Sequence, residues 1–187
     1  MASQKRQLRG DARSHRHSLD EEVARERDLR RSRLMLPMVP HDAVIATYLS
    51  RHGEPSTREL AAVLWRRGHR ILAPALRGRE PRWAAYRGPS RLREGEHGVP
   101  EPVGEVLPAA TLSEADIIIV AGLAAGRDGT RLGAGAGWYD RALTHARPDA
   151  QVWLPLNESE LFDSVPTEPH DIRVSCIVTE SGVYEVC

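Results

Sequence analysis

The stretch from Asp116 to Leu143 constrains this chain more than any other. Asp116-Ile117-Ile118-Ile119-Val120-Ala121-Gly122 is an almost unbroken apolar run of strand length, rich in β-branched residues. It predicts a strand buried on both faces, as in the middle of a parallel sheet. After a short loop come Gly133, Gly135 and Gly137, separated only by Ala134 and Ala136, just before a helical pattern at Tyr139, Ala142 and Leu143. Gly and Ala leave backbone N–H groups bare and permit positive φ, so such a bend can wrap an anion. The helix predicted next would aim its positive end at the same place. Arg131 stands before the bend and Asp140 after it. Together they describe a phosphate cradle with a Mg²⁺ ligand at its exit. The same spacing also suits a flexible surface turn, and spacing alone leaves both readings open. Two nucleotide motifs are excluded. There is no Gly-Lys-Ser/Thr, and the glycines run G-x-G-x-G away from the strand, unlike a dinucleotide fingerprint.

At 187 residues the chain suits one domain with a real core. Lysine and arginine (26) balance aspartate and glutamate (26), so no global field draws it to nucleic acid or an anionic membrane. No apolar run approaches the ~20 residues that span a bilayer. The first residues lack the apolar centre of a signal peptide, and Asp11, Asp20, Glu21 and Glu22 among the arginines argue against a transit peptide. Cys176 and Cys187 have no metal-binding spacing and suggest no disulfide. The expectation is a cytoplasmic protein, monomeric, with no nucleic-acid or membrane partner.

In chain order, residues 1–36 read as two charged helices, with Lys5, Leu8, Arg9 and Arg13 on one face of the first. By itself this segment could be only a solvated basic face. Ser18-x-x-Glu21 reads as a capping box for the second helix, and Ser56-x-x-Glu59 for a third carrying Leu60, Val63 and Leu64. Strands are predicted at 43–49 and 70–74, a parallel pair around that helix. Glu54 falls just past the first of them, where open α/β sheets place ligands. A short edge strand is predicted at 83–86, then a loop-rich connector over 87–114. After the glycine bend the pattern predicts a helix over 138–146, a strand at 152–154, a short helix over 158–162 and a closing hairpin through Gly182.

These motifs, taken together, resemble the 5-formyltetrahydrofolate cyclo-ligase (methenyltetrahydrofolate synthetase) family over nearly the whole chain. The resemblance rests first on Gly129-x-Arg131-Leu132-Gly133-x-Gly135-x-Gly137-Trp138-Tyr139-Asp140-Arg141. It extends to Lys5-Arg6-Gln7-Leu8-Arg9, to Gly53-Glu54, to Gly98-Val99-Pro100-Glu101-Pro102, and to His170-Asp171 followed by Ile177-Val178-Thr179-Glu180. It implies a single α/β domain over 1–187, a mostly parallel Rossmann-like three-layer sandwich with a helical N-terminus. It implies ATP and Mg²⁺ as cofactors and 5-formyltetrahydrofolate, free or polyglutamylated, as substrate. ATP would be held by Lys5, Arg6, Gln7, Leu8 and Arg9 and by 131–139: Arg131, Leu132, Gly133, Ala134, Gly135, Ala136, Gly137, Trp138 and Tyr139. Arg131 and Lys5 would be catalytic, Asp140 would hold the metal, and Leu49 and Glu54 would contact the folate.

The implied reaction closes 5-formyltetrahydrofolate to 5,10-methenyltetrahydrofolate. Phosphorylating the formyl oxygen makes it a leaving group, N10 attacks the formyl carbon, and ADP and phosphate are released. Such chemistry asks a protein for positioning and charge neutralisation. The chain departs from the family pattern at Ala121–Gly126, which lacks an aromatic and an acidic position, at Ala134 and Ala136, and at Ser175, where an aspartate that helps hold Mg²⁺ is usual. Those departures motivate an alternative: a non-catalytic folate- or nucleotide-binding protein on the same scaffold.

Overall fold

The computed structural model describes residues 2–186 apart from 77, 79, 169 and 170, with residue 97 as backbone only. The chain opens with two helices, α1 (Ala2–Ser18) and α2 (Glu21–Met35). The caps differ from the sequence expectation. Asp20, not Ser18, caps α2, accepting from the N–H groups of Glu22 and Val23. The Ser18 hydroxyl instead donates to the His15 carbonyl at the end of α1. Then come β1 (Ile45–Thr47), α3 (Arg58–Arg66) and β2 (Ile71–Pro74), with β1 and β2 parallel as predicted. Thr57 rather than Ser56 occupies the cap of α3, and its hydroxyl is drawn off to the Tyr48 carbonyl.

The edge strand β3 (Trp83–Ala85) runs antiparallel to β2. The expected connector contains a hairpin, β4 (Leu92–Glu94) against β5 (Pro100–Pro102). The apolar run becomes β6 (Ile117–Ile119), parallel to β1. The loop expected after it is a second hairpin, β7 (Ala124–Gly126) with β8 (Arg131–Leu132). There follow α4 (Trp138–Leu143), β9 (Gln151–Pro155), β10 (Leu161–Phe162), β11 (Cys176–Val178) and β12 (Val183–Glu185). The short helix expected at 158–162 is one 3₁₀ turn, Glu158–Glu160, running into β10. The closing hairpin forms as predicted.

The main sheet runs β12-β11-β9-β6-β1-β2-β3, with five parallel central strands and an antiparallel strand at each edge. Strand alternation splits its side chains into two cores. Ile45, Ile117 and Ile119 pack with Met35, Leu60 and Leu64 of α2 and α3. Ala46, Ile118 and Val120 pack with Leu112, Ala142 and Leu143 on the α4 side. That is the expected three-layer α/β sandwich, and it explains why Ile117–Ile119 is apolar on every residue. The chain leaves β1 toward β2 and β3, then returns to β6 on the other side of β1 and continues outward to β9 and β11. Loops leaving β1 and β6 therefore diverge, and a crevice opens at their carboxyl ends.

Candidate active site

A cavity of about 770 Å³ occupies that crevice. Its walls are the segments after β1 (Tyr48, Leu49, Arg51–Glu54), β2 (Pro74, Leu76) and β6 (Ala121–Leu123), together with the whole run Arg131–Asp140. Helix α1 lies along one side and contributes Lys5, Arg9, Arg13 and Arg16. The cations and glycines singled out in the sequence thus meet Glu54 and Leu49 in one place.

The bend is built for close backbone approach. Gly135 and Gly137 sit at φ 107° and 64°. Its carbonyls turn toward arginines: Arg9 Nε donates to Gly133 O (2.9 Å), Arg13 Nη2 to Ala134 O (3.3 Å) and Arg141 Nη1 to Ala136 O (3.0 Å). Among the described residues, the N–H groups of 133–137 donate to no protein acceptor. The helix beyond them stops at Leu143, shorter than predicted, so its dipole adds little and the bare amides of the bend are its main donors.

Arg131 is buried and pairs through Nη2 with Asp140 Oδ1. Among the described residues its Nε has no partner. The Trp138 indole N–H and the Tyr139 hydroxyl are likewise buried and unpartnered. All three residues line the cavity. Trp138 is wedged between Trp83 and Tyr139, with ring centres 5.3 and 4.9 Å away. Burial, and then the Glu54 charge, push the Tyr139 hydroxyl far above its ordinary pKa, so it stays a neutral donor.

Within the N-terminal motif, Lys5 and Arg9 line the cavity, whereas Arg6 and Gln7 are exposed outside it. Leu8 packs against Ala124, Leu132 and Val165. Lys5 Nζ lies 3.2 Å from Asp171 Oδ2 and 3.5 Å from Glu168 Oε1. Glu54 is held by its own turn, accepting from Arg51 N and Arg51 Nε, both at 3.1 Å. The Tyr48 hydroxyl steadies that turn through Pro55 O at 2.6 Å. Sequence reasoning missed Arg16 as a site residue and held Asp171 only a less direct match for a metal carboxylate. The signal for Arg16 was present, since Lys5, Arg9, Arg13 and Arg16 recur at spacings of four, four and three on one helix face.

Comparison with known proteins identifies the family. The model of the 5-formyltetrahydrofolate cyclo-ligase family matches residues 1–180. A 5-formyltetrahydrofolate cyclo-ligase of Mycolicibacterium smegmatis is 40% identical over 141 residues, 72% of each chain. The chain belongs to the 5-formyltetrahydrofolate cyclo-ligase family. The Escherichia coli cyclo-ligase is 31% identical over 153 residues, 80% of this chain and 84% of that one. The solved 5,10-methenyltetrahydrofolate synthetase of Aquifex aeolicus superposes with a TM-score of 0.84 at 28% identity, covering 97% of this chain and 92% of the other. The Mycoplasma pneumoniae synthetase, at 15% identity and a TM-score of 0.75, shares the fold.

The departures from the cyclo-ligase pattern take on structural meaning here. Ser175 is not part of the cavity lining. It precedes β11 at the amino end of the strand, where its hydroxyl accepts from Val152 N (2.9 Å) and donates to Val152 O (3.1 Å). Within the closing motif, the carboxylate that lines the cavity is Asp171. His170 of that motif lies outside the described residues. Residues 124–126 do not line the cavity; as β7 they are paired with β8 and β10 and fully buried. A Cβ on Gly126 would run into Asp128 Oδ1, Thr130 Oγ1 and Ser164 Cα, so only glycine fits.

Proposed function

We propose that this chain catalyses the ATP-dependent closure of 5-formyltetrahydrofolate to 5,10-methenyltetrahydrofolate, with release of ADP and phosphate. One observation carries the reading. The bend amides, which among the described residues donate to no protein acceptor, share one cavity with the cations Arg131, Lys5 and Arg9 and with an acceptor, Glu54. Bare backbone amides beside cations make a ready anion site. A polyphosphate is rich in acceptors. A pterin edge offers paired N–H donors, which an ionised carboxylate takes.

In this reading the amides of 133–137 hold the phosphates, and Arg131, Lys5 and Arg9 neutralise charge as the phosphoryl group moves to the formyl oxygen. Glu54 and Leu49 seat the pterin so that oxygen and phosphate are aligned.

Among the described residues no cluster of three or more metal-ligating side chains exists. Asp140 offers the one oxygen not bonded to Arg131, and Asp171 is a second carboxylate on the same cavity. This donor set fits a Mg²⁺ that arrives on the phosphates and keeps its waters, supplying charge neutralisation. We read residues 1–187 as one unit, acting as a cytoplasmic monomer on free or polyglutamylated substrate. The monomer is supported by dispersed exposed apolar side chains (Val23, Trp65, Val103, Phe162). A scaffold that binds without turnover is not favoured, because the described site is intact.

The test is purified protein with ATP, Mg²⁺ and 5-formyltetrahydrofolate, monitored for the near-ultraviolet absorbance of the methenyl product. Absorbance growth that needs ATP is the expected result. Binding of both ligands without product would refute catalysis.

A further inference from the structure

Helix α1 is held to the body by charge rather than by apolar surface. Its buried residues are Lys5, Ala12 and Arg16, and Leu8 adds one partly buried contact. Arg9 and Arg13 rest on carbonyls of the glycine bend, and Lys5 on Asp171 and Glu168. Each of these contacts lies on the cavity, so a ligand that engages these cations must alter them. Arg16 differs.

The Arg16 guanidinium forks onto Glu160, Nε to Oε1 at 2.7 Å and Nη2 to Oε2 at 2.8 Å, and Nη2 also reaches Gly122 O at 2.8 Å. Both partners are almost fully buried. Glu160 is itself fixed by Asn157, whose backbone N–H and side-chain amide donate to it at 3.0 Å each. Gly122 ends the segment that leaves β6 into the cavity. Burial opposes the Arg16 charge, but the Glu160 hydrogen bonds and charge outweigh it and raise its pKa. A bidentate pair of this kind fixes direction as well as distance.

We propose that Glu160, through Arg16, is the positioning residue that holds α1 in register over the cavity, so that Lys5 and Arg9 meet the phosphates of ATP. This rests on the phosphate reading of α1 given above. Glu160 does not line the cavity, so its effect reaches ATP through the helix.

The test is Glu160→Gln in the full chain, assayed by methenyl absorbance with each substrate varied. The expected result is a KM for ATP raised about tenfold, with kcat within about twofold and the KM for the folate unchanged. Removing one partner of a buried pair can unfold a protein, so the double variant Arg16→Met/Glu160→Leu accompanies it; replacing both with apolar groups is often tolerated. It should fold and show the same selective rise, which a purely stabilising pair would not produce below the melting temperature. Arg9→Ala separates the two ideas. If it raises the KM for ATP while both Glu160 variants, folded, leave it unchanged, the positioning role is wrong. If Arg9→Ala also leaves it unchanged, the phosphate reading of α1 fails, and this inference with it.

Discussion

Gly137→Ala isolates what the glycine bend contributes. Gly137 lies at φ 64°, ψ 20°, where a Cβ costs about 1 kcal/mol. For a chain this long that lowers Tm by about 2–4 °C. The added Cβ would also stand 3.1 Å from Arg141 Nη1, the atom that donates to Ala136 O at 3.0 Å. Arg141 is flexible and exposed, so it gives way, and the bend loses a hydrogen bond of about 1 kcal/mol. If that bond sets the aim of the bend amides, the KM for ATP rises about fivefold. Gly68→Ala is the matched control. Its φ is 94°, and a Cβ there meets nothing within 4 Å. It carries a similar backbone cost at the end of α3, far from the bend. Thermal melts and ATP titrations on both variants decide the matter. Equal Tm losses with a KM change only in Gly137→Ala support the cradle. An unchanged KM for ATP in Gly137→Ala, or the same change in both, refutes it.

Asp140→Asn strips the carboxylate from buried Arg131 and the proposed metal oxygen together; kcat should fall at least about tenfold and the Mg²⁺ requirement rise, read by metal titration of the rate. Glu54→Gln puts an amide donor where the pterin needs an acceptor, so the KM for the folate should rise about tenfold with the KM for ATP unchanged, as steady-state kinetics will show. Burial pushes the Cys176 thiol from 9.0 up to about 11, with the nearby Glu185 charge adding to it. In a Cys187→Ser background, native protein at pH 8 should therefore resist iodoacetamide, whereas unfolded protein reacts at once. The folded state holds the proton longer, so this site's contribution to stability is complete below about pH 9 and is lost as pH rises toward about 11, measurable by denaturant melts.

What the sequence showed of the fold depended on whether local chemistry or tertiary pairing decides each element. Ile117–Ile119 was legible because burial on both sides leaves only apolar choices. Strand β7 was not: Ala124-Ala125-Gly126 has no strand propensity and is extended because β8 and β10 flank it. Pro100-Glu101-Pro102 reads as a connector, yet it pairs with Leu92–Glu94 in an isolated hairpin, where proline is tolerated. Both serine capping boxes failed for one reason, competition for a short polar side chain. Ser18 serves the end of the preceding helix, and Ser56 accepts from the Ser50 hydroxyl as well as, at 3.4 Å, from Arg58 N. Of the site, Arg131, Asp140, Glu54, Lys5 and Arg9 could be named from motifs and do meet. The Arg16–Glu160 pair joins residues 144 apart, and no local pattern announces it.

The charges around the cavity also say which way a ligand lies. Arg131 is matched by Asp140, Arg16 by Glu160 and Arg51 by Glu54, while Lys5 faces two carboxylates, Asp171 and Glu168, at its end of α1. Arg9 and Arg13 are bonded instead to the carbonyls of Gly133 and Ala134. A carbonyl orients a guanidinium without cancelling its charge. The uncompensated positive charge is therefore concentrated beside the bend amides, while the Glu54 end is locally neutral and accepts hydrogen bonds. A ligand with one polyanionic end and one donor-rich flat end is accommodated best in a single direction, anion to the bend and ring to Glu54. A chain of zero net charge could thus select a polyanion without a global field, because among the described residues Arg9 and Arg13 have no carboxylate partner beside the bend, where the phosphates are proposed to lie.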